Sequence, residues 1–258
     1  MNQGQVSLGI DAGVASIVFD RPQARNAMTW HMYEQLVTLC GQLQADASVR
    51  VAVFRGAGGE AFVAGTDIEQ FRAFQSGEDG VLYERQIEHC IGLLEALPMP
   101  TVAVIDGWAV GGGLVIATAC DFRLANAGAR FGVPIARTLG NCLSVANTAR
   151  LEAAFGSQRV KRMLLLAEIL SADEALACGF LNQICETSEL DAAADRLCQR
   201  LTALAPVTQS IAKESLRRLL AHGLPADDDL IRRGYGSRDF HEGVAAFVAK
   251  RSPAWTGL

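Results

Sequence analysis

The chain has 258 residues, 50% of them hydrophobic, and 23 Lys and Arg against 28 Asp and Glu give a formal net charge of −5. That length suits one large domain, or one domain with a terminal appendage, and no basic block marks a nucleic-acid partner. The seven cysteines are odd in number and scattered without a C-x-x-C pair, as expected of reduced thiols in a cytoplasm, and the four histidines show no metal-ligand spacing, so no metal is expected.

The first 13 residues, MNQGQVSLGIDAG, hold no basic region followed by an apolar one, so no signal peptide is expected. Residues 5–10 and 14–19 read as a hairpin, and Asn26 as the cap of a helix over 28–43 with Met32, Leu36, Leu39 and Leu43 on one face. Residues 51–54 make a buried strand. FVAGTDI at 62–68 runs from apolar residues through a glycine to Asp67, a natural helix cap. A helix follows over 81–97, stopped by Pro98 and Pro100. Glu69, Glu84 and Glu88 lie on or near these helices and are expected at the surface, because carboxylates are rarely buried unpaired.

The centre of the chain is 102–121, VAVIDGWAVGGGLVIATACD. A β-branched run gives a buried strand, a glycine turn follows, and a helix starts in the triple glycine. The first N–H groups of a helix have no internal partner and lie at the positive end of its dipole. Gly112 and Gly113 therefore suit the binding of an anion or a developing oxyanion, or else the close packing of a helix on a strand. The stretch is apolar and long enough for a membrane span, but it contains Asp106 and several glycines, and a buried strand and helix account for it.

Residues 121–125 read as another strand and 131–144 as a site-lining loop. Helices are expected over 147–155, 157–166, 191–204, 206–222 and 243–250, with a capping box at 171–174 opening a short helix that ends at Gly179. Units of strand, strand and helix come first and helices last: an α/β core over 1–200 and a helical C-terminal region over 201–258.

Several motifs then fall into one order. They are Arg21-Pro22 with Arg25-Asn26-Ala27-Met28, F-x-A-G-x-D-I at 62–68, the glycines at 107–113, Cys120-Asp121, Phe131-Gly132, S-A-x-E-A-x-x-x-G-x-L at 171–181, and E-G-x-x-A-F-x-x-K-R at 242–251. In that order and spacing the chain resembles the enoyl-CoA hydratase/isomerase (crotonase) superfamily. The resemblance implies a spiral of ββα units, a homotrimer or a dimer of trimers, an acyl-CoA substrate, and no cofactor apart from the coenzyme A the substrate carries. It implies that the amides of Thr66 and Gly112 hold the thioester oxygen. Ala24, Arg25, Ala64, Asp67, Ile68, Phe247 and Lys250 are implied as substrate and CoA contacts, Lys250 as a point charge for phosphate.

The resemblance breaks at the acid/base positions. The superfamily's hydratases use two glutamates on one water. The first corresponds to Val115 here, and the second to Ile135 or Ala136, depending on whether the count runs from Phe131 or back from Gly140. A third position, acidic in some isomerases, is Ser144. Carbonyl polarisation is thus expected to persist and standard hydration to be slow. The readings left are an isomerase, lyase or thioester hydrolase with unusual acid/base groups, a weak hydratase, and a non-catalytic acyl-CoA binding protein.

Overall fold

Strand β1 (Gln5–Asp11) turns back on β2 (Val14–Asp20) through Ala12 and Gly13, both at positive φ, to form an antiparallel hairpin. The structure, a computed structural model, describes residues 3–224 and 226–256. Helix α1 (Trp30–Ala45) follows, and its cap is Thr29, whose hydroxyl accepts the Met32 N–H at 3.2 Å. The expected cap, Asn26, is fully buried and does other work. Its Oδ1 accepts the Arg21 N–H at 2.9 Å, and its Nδ2 donates to the carbonyls of Ala57 (2.9 Å) and Ala61 (2.8 Å).

Three ββα units come next: β3 (Val51–Gly56), β4 (Ala61–Val63) and α2 (Gly77–Glu95); β5 (Thr101–Ile105), β6 (Trp108–Val110) and α3 (Gly112–Ala119); β7 (Phe122–Asn126), β8 (Arg130–Gly132) and α4 (Ile135–Thr138). The first strand of each unit enters one sheet and the second strand enters another. Helices α5 (Val145–Phe155) and α6 (Ser157–Leu165) lead to β9 (Ile169–Ser171), α7 (Ala172–Ala177), β10 (Gln183–Cys185) and α8 (Leu190–Thr202). The chain ends in α9 (Pro206–Ala221), α10 (Asp228–Tyr235) and α11 (Arg238–Val248). The six-stranded sheet runs β1-β2-β3-β5-β7-β10, parallel beyond the hairpin, and the four-stranded sheet runs β4-β6-β8-β9, parallel except at β9.

The large sheet is covered on both faces, as parallel sheets require. Ala52, Phe54, Ala103 and Ile105 face the main core with α1 and α2, while Val51, Val53, Val102 and Val104 face Ala193, Ala194 and Leu201 of α8. Residues 131–144, expected as a loop, hold the end of β8 and the single turn α4. The last helix begins at Arg238, and α10, absent from the sequence-based expectation, precedes it. Among the described residues no helix is long and apolar enough to cross a membrane.

Candidate active site

Strands β4, β6 and β8 lie side by side and parallel, so their carboxyl ends discharge three chain segments into one place, the usual ligand position in open α/β sheets. From β4 the chain enters Ala64-Gly65-Thr66, with Gly65 at φ +88°. The strap 21–28 grips this turn. The Met28 N–H donates to the Gly65 carbonyl and the Asp67 N–H to the Met28 carbonyl, each at 2.8 Å. The Thr66 N–H between them has no partner among the described residues. From β6 the chain turns through Gly111 at φ +54°, whose N–H donates to Gly132 at 2.9 Å, and Gly112 opens α3 with its own N–H unpaired.

The glycines divide the labour. A Cβ on Gly113 would lie 1.9 Å from the Val63 carbonyl oxygen, so this glycine lets α3 press on β4. A Cβ on Gly112 would come within 4.0 Å of the Thr66 nitrogen and 2.9 Å of the Tyr33 hydroxyl, which places the two free amides near one another. The close packing expected of the triple glycine is seen at Gly113, while Gly112 leaves its amide unpaired. The Thr66 hydroxyl is held at 2.8 Å by Tyr33 and at 2.8 Å by Tyr83. Burial raises both phenol pKa values, so each ring keeps its proton.

The two amides open on a cleft of about 900 Å³. Ala24, Arg25, Ala64, Asp67, Ile68, Phe247 and Lys250, drawn from both ends of the chain, all line it. Asp67 caps the 3₁₀ turn Ile68–Ala73 by accepting the Glu69 N–H, as expected, and also pairs with Arg21 at 2.7 Å, which fastens the strap to the turn. Arg25, Arg137 and Lys250 make part of the lining cationic, suited to a phosphorylated ligand.

Val115, buried on α3, and Ile135, at the start of α4, line the same cleft, whereas Ala136 is exposed and does not; of the two matches for the second glutamate, Ile135 is the one that faces it. Ser144 is buried and caps α5, its hydroxyl accepting the Asn147 N–H. Glu69 and Glu88 are exposed as expected, but Glu84 is buried at 3% exposure in the cleft wall. Its Oε1 accepts from the Tyr235 hydroxyl at 2.7 Å and its Oε2 from the Ser144 N–H at 3.1 Å. Burial pushes its carboxyl up to about 7, against the opposing pull of those two hydrogen bonds and of one from the Ser144 hydroxyl. Asn141 donates to Tyr235 at 3.1 Å, and its own Oδ1 is buried without a partner. Sequence reading missed Glu84, although its helical spacing from Val81, Ile87 and Ile91 puts it on the apolar stripe of α2.

The chain is similar to known proteins along nearly its whole length. The family model described as enoyl-CoA hydratase/isomerase matches residues 9–258. The short-chain-enoyl-CoA hydratase of Clostridium acetobutylicum is 30% identical over 97% of each chain. The human enoyl-CoA hydratase domain-containing protein 2, mitochondrial, is 33% identical over 96% of this chain and 87% of its own. Among solved structures, methylmalonyl-CoA decarboxylase in complex with 2-nitronate-propionyl-CoA superposes with a TM-score of 0.89 at 26% identity, over 98% of both chains. An enoyl-CoA hydratase/carnithine racemase from Magnetospirillum magneticum gives 0.80 at 31%, over 100% of this chain and 97% of that one.

Proposed function

The chain belongs to the enoyl-CoA hydratase/isomerase family, and on that premise we propose that it binds acyl-CoA thioesters with the carbonyl oxygen between the N–H groups of Thr66 and Gly112. The observation that carries this reading is the juxtaposition of those two unpaired amides in one cleft. Charge moves onto the thioester oxygen when the α-carbon loses a proton or the β-carbon gains a nucleophile, and two preorganised donors stabilise that charge with little reorganisation. Arg25 and Lys250 meet the phosphates at the mouth, with Phe247 against the adenine. Proton transfer at an activated α-carbon needs no cofactor beyond the coenzyme A of the substrate.

The reaction favoured is of isomerase or lyase type. Hydration needs one group to activate water and another to deliver a proton, and apolar Val115 and Ile135 occupy the matching wall. The same two residues favour a second reading, a non-catalytic acyl-CoA binding protein. We further propose a homotrimer or a dimer of trimers in a reducing compartment, the cytoplasm; its cysteines are free thiols.

Calorimetry with crotonyl-CoA should show binding that weakens in Lys250→Ala; no binding by any acyl-CoA of a short-chain panel overturns the reading. Loss of enoyl absorbance should be slow in the unmodified protein, and faster in the double variant Val115→Glu with Ile135→Glu, though by less than the factor of about 10²–10⁴ that a general acid or base contributes, because nothing orients the new carboxylates. Turnover of crotonyl-CoA at roughly 10 per second or more, a typical enzymatic rate, would contradict the assignment of slow hydration.

A further inference from the structure

Glu84 is an anomaly in energetic terms. A buried carboxylate is expected beside a cation or a metal, yet the hydrogen-bond partners of this one, the Tyr235 phenol and the amide and hydroxyl of Ser144, are all neutral. It sits in the wall of the cleft that also holds Thr66 and Gly112. The fold takes trouble to bring its main partner there. Gly80 lies one turn before Glu84 on α2, and a Cβ on it would fall 2.2 Å from the Tyr235 ring. That bare backbone lets α10 seat the ring against α2, with the hydroxyl on the carboxylate. Asn141 donates to the same hydroxyl, which leaves the phenolic proton to point at Glu84.

We propose that Glu84 is the catalytic acid/base of this cleft, taking a proton from the carbon chain of the bound acyl-CoA and giving it back, with Tyr235 as its positioning residue. This rests on the acyl-CoA reading above and supplies the proton-transfer group that Val115 and Ile135 cannot. The α C–H bond breaks and its electron pair forms a carbon–carbon double bond. The carbonyl π pair moves to the thioester oxygen, held by the amides of Thr66 and Gly112, and a Glu84 oxygen gains the proton. Return of a proton to the α-carbon restores the thioester. Where a β,γ double bond conjugates with the enolate, return to the other end of the delocalised system shifts the double bond. One carboxyl group serves both directions, so the arrangement suits a 1,3-proton shift and not the two-group addition of water.

The surroundings fit a base working near neutrality. Burial and the Asp227 carboxylate at the head of α10 both disfavour charge on Glu84, while the Tyr235 hydroxyl and the amide and hydroxyl of Ser144 favour it. Cys142 and the phenols of Tyr33 and Tyr83 also lie within its electrostatic reach, and all three are themselves pushed toward their protonated forms.

The test uses the full-length protein and butyryl-CoA in deuterium oxide. A proton held on Glu84 exchanges with solvent, so its return deuterates the α-carbon, read by mass spectrometry without knowledge of the natural acyl group. Binding of butyryl-CoA is measured in parallel by calorimetry. Unmodified protein should bind and deuterate, with a rate that rises with pH to a midpoint near neutrality. Glu84→Gln should bind within about threefold of the unmodified affinity and deuterate about 10²–10⁴ times more slowly, the range for loss of a general base. Tyr235→Phe should keep the plateau rate at high pH but move the midpoint upward, because it removes a donor that stabilises the charged form; a purely structural role would lower the rate at every pH and leave the midpoint in place. Binding without deuteration by the unmodified protein, or deuteration undiminished in a binding-competent Glu84→Gln, overturns the assignment of Glu84 and leaves the acyl-CoA reading standing. Absence of binding by the unmodified protein, to butyryl-CoA and to every other member of the short-chain panel, overturns both.

Discussion

Glu84 ties stability to pH in a direction opposite to most carboxylates. Its folded-state value of about 7 lies above the ordinary 4.5 because burial opposes ionisation. The stabilising effect is therefore complete below about pH 4.5 and is lost as pH rises through 7. A shift of this size corresponds to about 3 kcal/mol. Urea unfolding should show Glu84→Gln gaining on the unmodified protein by up to that amount between pH 4.5 and 8; parallel stability curves for the two proteins would contradict it. At this scale the free backbone amides were partly legible. Gly112 was readable because glycines and a helix start announce free amides, whereas the amide of Thr66 was implied by the family resemblance. Glu84 was missed because a glutamate on a helix is ordinarily solvated, and only its place on the Val81–Ile87–Ile91 stripe argued otherwise. Asn26 misled for a related reason: the residue type that caps helices also satisfies buried carbonyls, and here three hydrogen bonds fix it within the strap.

The elements that build the site are joined by absences of side chain. Gly113 lets α3 approach the Val63 carbonyl, and Gly77 and Gly80 form the seat on α2 that receives α10. A Cβ on Gly77 would fall 2.2 Å from the Arg232 carbonyl oxygen. The α2–α10 contact carries Tyr235 into the cleft, so Gly80→Ala should act at a distance. Alanine is the better helix former by about 1 kcal/mol in a helix interior, but its methyl group must push the ring aside, and overpacking of this kind costs about 1–3 kcal/mol. We expect a net loss of thermal stability and a pH profile of α-proton exchange displaced in the same sense as that of Tyr235→Phe. A stabilised Gly80→Ala with an unchanged profile would show that α10 does not depend on this seat. The long helices and the strands of the large sheet other than β10 were readable from periodicity. The three-residue strands β4, β6 and β8 were not, since so few residues carry no period, and α10 is an eight-residue helix with only Ile231 and Tyr235 buried.

At the scale of the molecule, α10 and α11 give Ile231, Tyr235, Phe240 and Val244 to the main core, while α9 gives nothing: none of its residues is buried. It is moored by polar contacts, the Lys213 ammonium reaching the Asp121 carboxylate at 2.6 Å and the Met99 carbonyl at 2.8 Å, and Gln209 donating to the Leu201 carbonyl at 3.0 Å. Its apolar side chains point elsewhere: Val207, Ile211, Leu216 and Leu219 are 62–75% exposed. Scattered surface leucines are ordinary, but four exposed apolar residues on one helix, with Leu204 exposed just before it, offer the apolar contact area that an interface uses. Soluble oligomers are mostly closed and symmetric, which agrees with the trimer proposed above. Light scattering should then give a mass of three or six chains, and the pair Ile211→Asp with Leu219→Asp should lower it, since two carboxylates cannot be buried there without partners. The cleft lies on other elements, so a dissociated but folded variant should still bind butyryl-CoA through Thr66, Gly112 and Lys250. A monomer mass for the unmodified protein at working concentration would remove the trimer and leave α9 with its apolar side chains open to water.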